Sequence, residues 1–135
     1  MTTLQAQLIE DEGFRQFPYK DTVGKLTIGI GRNLDDVGIT RNEALIMLEN
    51  DIEKVRYSLD QKLSFFKTLT PARQDALINM GFNMGVPKLL TFKKTLMFLS
   101  IGDYKSASTE CLKSTWAIQL GERAKRIAKV LLVGS

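Results

Sequence analysis

One stretch near the N-terminus, residues 14–31, constrains the fold more than any other, because it has the pattern of a small β-hairpin. Its first part is rich in aromatic residues, and Asp21-Thr22-Val23-Gly24 has the composition of a turn. From Lys25 to Gly31, apolar residues alternate with small or polar residues, as in a strand with one apolar face. The segment therefore predicts two short antiparallel strands joined by a tight turn.

The alternation in the second strand predicts which side chains share a face. One face holds the apolar residues Leu26, Ile28 and Ile30, and the other holds Thr27, Gly29 and Gly31. We therefore expect Thr27 to point away from the apolar face, beside backbone that a ligand can approach closely. Because the turn reverses the chain, Asp21 is expected to lie near Thr27.

A short helix is predicted before the hairpin. Thr2 or Thr3 can cap its N-terminus, and Gly13 is a typical C-terminal stop. Glu12 then lies at the helix C-terminus, where the macrodipole opposes ionisation of a carboxylate, and partial burial would act in the same direction. A carboxylic acid that stays protonated near neutral pH is what general-acid catalysis requires.

These two segments resemble the T-even type of phage lysozymes, glycoside hydrolase family 24. The resemblance rests on Asp-Glu-Gly at 11–13, Tyr-Lys-Asp-Thr at 19–22 and Leu-Thr-Ile-Gly-Ile-Gly at 26–31. The catalytic pattern of that family, Glu-x8-Asp-x5-Thr, is matched position for position by Glu12, Asp21 and Thr27. The alternative is a coincidental trio on a surface hairpin, because acids and threonines are common.

The resemblance implies a muramidase, which hydrolyses the β-1,4 bond between N-acetylmuramic acid and N-acetylglucosamine in peptidoglycan. Glu12 would protonate the leaving oxygen as general acid, and Asp21 with Thr27 would position and activate a water. A threonine hydroxyl is a poor nucleophile but a good water ligand, able both to donate and to accept hydrogen bonds. We therefore expect inversion of the anomeric configuration.

The chain predicts an α+β fold that is mostly helical, and its length suits a single domain, 1–135. The resemblance implies a lysozyme-like, two-lobed fold with a cleft between the lobes. The lobe with the small antiparallel hairpin or sheet is expected at about 12–40. A linking helix at about 41–63 begins with a capping-box pattern, Thr-x-x-Glu. The helical lobe is expected to cover about 66–135, together with the N-terminal helix.

A second segment, Ala-Leu-Ile-Asn-Met-x-Phe-x-Met-Gly at 76–85, also resembles the family. By matching position, Phe82 and Asn83 are candidates for contacting sugar, although a purely structural role stays open for both. Thr95 aligns with a Ser or Thr that faces substrate in relatives. Where many relatives have histidine, this chain has Arg32, so the histidine ion pair known in the family cannot be carried over.

The composition excludes several chemistries. There is no histidine and only one cysteine, Cys111, so histidine-based triads and His- or Cys-type zinc sites are excluded. Acid–base chemistry must then come from carboxylates, which favours glycoside hydrolysis over proteolysis. We expect no metal and no cofactor. The lone tryptophan, Trp116, is expected in the core, as is its counterpart in the family.

The charge indicates an anionic partner. The net charge is +4, and a basic cluster lies near the C-terminus: Arg123, Lys125, Arg126 and Lys129. An anionic bacterial envelope accounts for this charge. Nucleic acid is not expected as a partner, because basic and aromatic residues do not interleave. Two other classes stay open, a non-catalytic peptidoglycan-binding protein on a lysozyme scaffold and a basic helical nucleic-acid binder.

The expected biology is that of a phage endolysin acting on peptidoglycan. There is no apolar run long enough to span a membrane and no secretory signal pattern at the start. The resemblance and the missing signal together imply a protein made in the host cytoplasm, and we expect a monomer without stable membrane insertion. It would reach the cell wall after holin-mediated release.

Overall fold

A computed structural model describes all 135 residues. The chain is 66% helical, with eight helices and one three-stranded antiparallel sheet of order β1-β2-β3, so the predicted mostly helical α+β class is confirmed. The elements are α1 (Thr3–Glu12), β1 (Arg15–Lys20), β2 (Leu26–Gly29), β3 (Arg32–Asn33), α2 (Arg41–Lys62), a 3-10 turn (Phe66–Thr68), α3 (Pro71–Met84), α4 (Val86–Leu89), α5 (Lys93–Ser100), α6 (Tyr104–Lys113), α7 (Thr115–Leu120) and α8 (Glu122–Val133). No helix is both long and apolar enough to cross a membrane.

The chain divides into two compact units, Met1–Met47 and Leu48–Ser135. The first unit holds α1, the sheet and the start of α2, and the second holds the rest of α2 and all later helices. In this division α1 belongs with the sheet, whereas the sequence groups it with the helical lobe. The lobe boundaries of about 12–40, 41–63 and 66–135 stay predictions.

The ends of α1 are set by local hydrogen bonds. The side chain of Thr2 accepts from the backbone of Gln5, and the side chain of Gln5 accepts from the backbone of Thr2, which forms a reciprocal capping box. At the other end, Gly13 has φ of 73° and its N–H donates to the carbonyl of Ile9. The predicted limits of this helix are confirmed. No residue of α1 is buried.

The predicted hairpin is also confirmed, but it is joined by a third strand that the sequence does not indicate. β1 pairs with β2, with Lys20 opposite Leu26, and the register shifts between Arg15 and Tyr19. β3 is only two residues long and pairs with β2, with Asn33 opposite Thr27. β2 is therefore the central strand.

Thr27 lies on the face opposite the apolar residues of β2, as predicted, but that face is covered rather than open to a ligand. Thr27 is 4% exposed, whereas Leu26 and Ile30 are 37% and 44% exposed. In the central strand, Thr27 stands between Tyr19 on one side and Asn33 on the other, and these same-face neighbours cover it. Alternation identified the two faces of the strand correctly, but not which of them is covered.

The apolar core lies in the second unit. Its buried side chains come from α2 onward and include Leu59, Phe66, Leu77, Met80, Leu89, Leu99, Cys111, Trp116, Ile127 and Leu131. Trp116 packs edge-on against Phe92, and its place in the core is confirmed. The lone cysteine is buried, which raises the pKa of its thiol to about 11 and keeps it in the unreactive protonated form.

A buried arginine ties α3 to the end of α8. Arg73 is buried, and it donates from Nε to the carbonyl of Leu131 at 2.8 Å and from a terminal nitrogen to that of Leu132 at 3.0 Å. Its guanidinium carbon lies 3.4 Å from the ring centroid of Tyr104. Arg73 therefore satisfies helix C-terminal carbonyls that have no partner within their helix, and it stacks on an aromatic face.

We predict that Arg73→Lys destabilises the fold. A lysine has no planar fork, so it cannot bridge two carbonyls while stacking on Tyr104. The expected loss in the free energy of unfolding is about 2 kcal/mol, typical for a hydrogen bond to a charged group. Urea denaturation measures it, with Arg41→Lys as control because Arg41 is exposed. Equal stabilities of the two variants would contradict this account.

Candidate active site

Glu12 is the last residue of α1, and its carboxylate lies against the backbone of Gly31. A Cβ at Gly31 would stand 2.8 Å from Oε2 of Glu12, and Gly31 has φ of 70°. Both the space and the backbone conformation therefore require glycine there. From the sequence we expect a ligand to approach the backbone at Gly29 and Gly31, which carry no side chains. At Gly31, however, the side chain of Glu12 occupies that space. Glu12 is exposed, so the expected partial burial is wrong, because nothing in α1 is buried.

Asp21 is held at the hairpin turn by its own backbone neighbours. Its Oδ1 accepts from the N–H of Val23 at 3.0 Å and from the N–H of Lys25 at 2.8 Å. Its N–H donates to the carbonyl of Lys25 at 2.9 Å, and its carbonyl accepts from Gly24 at 3.0 Å. Aspartate is favoured in such turns because its short side chain can bond the backbone a few residues on. The second oxygen, Oδ2, has no donor within the protein.

Thr27 meets Asp21 at a shared partner, the peptide of Lys25. The Oγ1 hydroxyl of Thr27 donates to the carbonyl of Lys25 at 3.0 Å, and the N–H of Asp21 donates to the same oxygen. The structure therefore brings Asp21 and Thr27 together, as the hairpin predicts. Because the Thr27 proton is already used, its oxygen is left as an acceptor. The expectation that it could also donate to a water does not fit this bonding.

An ion pair between Arg32 and Glu43 joins β3 to the start of α2. Its two nitrogen–oxygen contacts measure 2.8 and 2.7 Å, and Arg32 also donates to the carbonyl of Gly38 at 3.0 Å. Glu43 additionally accepts from the N–H of Thr40, and Thr40 accepts from the N–H of Glu43, which completes the predicted capping box.

The ion pair shifts the protonation equilibria of both partners. The hydrogen bonds from Arg32 and from the Thr40 backbone lower the pKa of Glu43 to about 2. The same pairing raises the pKa of Arg32. Sequence reasoning missed this pair. The capping box gives the direction of the Glu43 side chain, but nothing local to the sequence places Arg32 beside it.

An open apolar groove of about 800 Å³ lies in the first unit. Its walls include Phe14, Ile28, Ile30, Ile39, Ile46 and Met47, with the Arg32–Glu43 pair among them. None of Glu12, Asp21 and Thr27 lines it. The apolar face of β2 is therefore real, but it faces this groove rather than a closed core.

The candidate substrate-binding residues all lie in the second unit. Phe82 is 45% exposed, and Asn83 accepts a hydrogen bond from the indole nitrogen of Trp116 at 2.9 Å. Asn83 therefore has a structural role, because it anchors the indole of the core residue Trp116. Thr95 is 3% exposed and lines an open cavity of about 350 Å³, which neither Phe82 nor Asn83 lines.

Comparison with known proteins identifies the family. The family model described as phage lysozyme matches residues 9–129. The chain belongs to the phage lysozyme family. It is 30% identical to a probable T4-type lysozyme 1 of Dictyostelium discoideum, over 100% of this chain and 96% of that one.

Two phage proteins are also similar to this lysozyme-family chain. An endolysin of Acyrthosiphon pisum secondary endosymbiont phage 1 is 34% identical, over 83% of this chain and 77% of its own. The pre-baseplate central spike protein Gp5 of Enterobacteria phage T4 is 27% identical, over 98% of this chain but only 28% of its own. Family membership supports a lysozyme-type hydrolase that degrades peptidoglycan.

The remaining polar groups of this lysozyme suggest no metal site, and its basic cluster is partly engaged. No group of three or more Asp, Glu or Cys side chains is placed to hold a metal ion. Arg123 donates twice to the side-chain oxygen of Asn79, at 3.1 and 2.7 Å, and Lys125 pairs with Glu122 at 3.1 Å. Arg126 and Lys129 form no ion pair with an acidic side chain.

We predict that Glu43→Gln changes how the stability of this lysozyme depends on pH. A carboxylate whose folded pKa is lowered from 4.5 to about 2 stabilises the fold above about 4.5. That stabilisation is lost as the pH falls through about 2. Wild type should therefore be more stable than Glu43→Gln at pH 7, and the difference should shrink below about pH 4.5. Thermal melts across a pH series measure it, and a difference that does not change with pH would refute the ion-pair account.

Proposed function

We propose that this lysozyme is an N-acetylmuramidase that hydrolyses the β-1,4 bond between N-acetylmuramic acid and N-acetylglucosamine. The observation that carries the proposal is the Lys25 peptide, whose N–H and carbonyl orient Asp21 while the carbonyl also holds Thr27. Asp21 then has a carboxylate oxygen without a donor, and Thr27, tied to the same residue, has a hydroxyl with a free lone pair. Such a pair is suited to holding a water molecule.

Glu12 is the general acid in this proposal. Glu12 is the last residue of α1. Its position against Gly31 fixes the carboxyl group at the end of the second hairpin strand. With no histidine in the chain, proton transfer to the leaving oxygen falls to a carboxyl group.

Asp21 is the general base and Thr27 the water-positioning group. The two backbone N–H groups that donate to Oδ1 fix the orientation of the Asp21 side chain. Oδ2 is left to accept a proton from the attacking water. Phe82, Asn83 and Thr95 are proposed as substrate contacts on the second unit. The cluster at residues 123–129 is proposed to attract the anionic envelope.

The proposed biological role is host-cell lysis as an endolysin, which the similarity to a protein named endolysin supports. The enzyme would accumulate as a monomer in the host cytoplasm and reach peptidoglycan after holin-mediated release. A relative named as a central spike protein favours a second candidate, action from the virion. Mass spectrometry of purified virions separates the two roles, because only a virion component is found there in stoichiometric amounts.

We predict that Glu12→Gln abolishes activity without unfolding the protein. The amide keeps the size of the side chain but cannot donate a proton to the leaving oxygen, so a loss of at least about 100-fold is expected. Clearance of outer-membrane-permeabilised cells measures activity, and thermal melting checks the fold. Glu10→Gln is the matched control, because Glu10 is exposed on the same helix and its variant should keep activity.

The same assay separates the enzyme from its rivals. A wall-binding protein without catalysis would pellet with sacculi but clear no cells, and a nucleic-acid binder would retard DNA in a gel. A folded Glu12→Gln variant with more than a small percentage of wild-type clearance would show that Glu12 is not the acid.

We predict that hydrolysis inverts the anomeric configuration. Inverting glycosidases hold a water between base and sugar, with carboxyl groups about 6.5–9.5 Å apart, whereas retaining enzymes attack directly at about 5–5.5 Å. A water held by Asp21 and Thr27 would attack from the face opposite the leaving group, so the first product should be the α-anomer. Proton NMR of early products, before mutarotation, reports the anomer. Initial β-anomer, or a sugar adduct on Asp21 in mass spectra, would make Asp21 a nucleophile.

A further inference from the structure

One peptide group, the one that joins Lys25 to Leu26, holds both residues that the proposed mechanism assigns to the attacking water. Its carbonyl oxygen accepts from the N–H of Asp21 at 2.9 Å and from the hydroxyl of Thr27 at 3.0 Å. Its N–H group, on the opposite edge, donates to Oδ2 of Asp35 at 2.8 Å. Asp35 therefore bonds the other side of the same planar group that holds Asp21 and Thr27.

The carboxylate of Asp35 takes the place of a strand partner at the end of β3. The strand itself ends at Asn33, and the N–H of Leu34 donates to the carbonyl of Leu26 at 2.7 Å. In a regular antiparallel pair the return bond would run from the Leu26 N–H to the carbonyl of Leu34. The chain turns here instead, with the N–H of Val37 donating to the carbonyl of Asn33 at 3.1 Å, and the Leu26 N–H donates to Asp35.

A bond at the N–H of a peptide group also acts on its carbonyl. Because the group is planar, fixing the direction of the N–H fixes the direction of the carbonyl. A hydrogen bond to a carboxylate is stronger than one between neutral groups. A bonded N–H also polarises the peptide, so that the carbonyl oxygen becomes a better acceptor. The Asp35 bond therefore orients the Lys25 carbonyl and strengthens it as an acceptor.

We infer that Asp35 is a positioning residue for hydrolysis, because it orients the Lys25 carbonyl that holds Asp21 and Thr27. The inference rests on the proposed muramidase function, in which these two residues hold the attacking water. Asp35 keeps the Thr27 proton on the Lys25 carbonyl, so the lone pairs of that hydroxyl face the water. Asp35 itself does not touch the substrate in this mechanism, and it acts through the peptide group alone.

The next residue, Asp36, has the same chemistry but different partners. Both aspartates are exposed. Oδ1 of Asp36 pairs with Nζ of Lys25 at 3.1 Å, and Oδ2 accepts from the side-chain amide of Asn33 at 3.1 Å. These contacts are made to side chains, and an exposed ion pair of this kind contributes little to stability. Asp36→Ala is therefore the matched control for Asp35→Ala.

Steady-state kinetics on solubilised peptidoglycan strands tests the role in hydrolysis. Asp35→Ala should lower kcat about tenfold, as expected for loss of one hydrogen bond to a charged group. KM should not change, because Asp35 makes no contact with the substrate. Asp35→Asn should keep most of the wild-type kcat, since its amide oxygen can still accept from the Leu26 N–H. Asp36→Ala should keep both constants. An unchanged kcat in Asp35→Ala, a change in KM alone, or an equal loss in Asp36→Ala would overturn the inference.

Amide hydrogen exchange followed by NMR tests the positioning without any substrate. The N–H of Asp21 has the Lys25 carbonyl as its acceptor, so its exchange rate reports how firmly that carbonyl is held. Exchange at Asp21 should be about tenfold faster in Asp35→Ala than in wild type, and unchanged in Asp36→Ala. The N–H of Val37 is bonded within the loop that carries Asp35, and its rate should not change in Asp35→Ala. Unchanged exchange at Asp21, or equal acceleration at Asp21 and Val37, would overturn the positioning role.

The two measurements separate this inference from the proposed function. If the wild-type protein hydrolyses no glycan strand, the muramidase proposal fails, and exchange at Asp21 alone decides whether Asp35 orients the peptide group. If wild type is active and Asp35→Ala keeps its kcat, the muramidase proposal stands and the role of Asp35 is overturned. Thermal melting checks the fold of each variant. If Asp35→Ala does not fold, Asp35→Ser replaces it with the same expected losses, because serine suits a turn but is too short to reach the Leu26 N–H.

Discussion

Hydrogen bonding, rather than apolar burial, orders the part of the chain that carries the candidate catalytic residues. Among residues Met1–Met47, Thr27 is the only buried side chain. A unit of this size cannot enclose much of a core, and a small sheet alone is marginally stable in water. Its geometry depends instead on polar contacts, chiefly the Asp21 turn and the Arg32–Glu43 pair. These contacts are directional, so they can fix side-chain orientation where apolar contacts are few.

In the second unit, apolar burial rather than hydrogen bonding orders the chain. Its buried apolar side chains form one cluster, and its important polar contacts are attached to that cluster. Arg73 meets the carbonyls at the end of α8, Ser108 donates to the carbonyl of Ala128, and Asn83 accepts from Trp116. In a low-dielectric interior each such contact is worth more than at the surface, and each orphaned partner costs more.

The sequence predicts features that depend on residues close together in the chain, and it misses features that depend on residues far apart. The capped helix start at Thr2, the stop at Gly13 and the turn at Asp21 depend on residues within a few positions of one another, so the sequence predicts them. The two-residue strand β3 and the partner of Arg32 depend on contacts with residues farther along the chain, and no local pattern gives them. Thr27 shows the same limit, because alternation gives two faces and only the neighbouring strands decide which is covered.

At the candidate site, the sequence selects the residues, but only the structure shows how their polar atoms are bonded. The family pattern selects Glu12, Asp21 and Thr27 by spacing alone, and spacing says nothing of how each polar atom is used. The structure adds that Asp21 offers one free oxygen and that Thr27 has given its proton to Lys25. At Asn83 the structure shows a use that the family pattern does not indicate, because its amide oxygen accepts a hydrogen bond from Trp116. Its side-chain NH2 group is the part left to contact a sugar.

The bonding at Lys25 also limits how the proposed water can be oriented. Because Thr27 has only lone pairs to offer, a water between the two residues must donate one proton to Thr27 and the other to Oδ2 of Asp21. Both protons are then directed at the protein, which leaves a lone pair of the water oxygen facing outward towards a sugar. In the proposed mechanism, the neutral hydroxyl of Thr27 would orient the water, and the proton of the water would pass to Asp21. In that proposal, an orienting hydroxyl and a fixed carboxylate together would do what a histidine does in many other hydrolases.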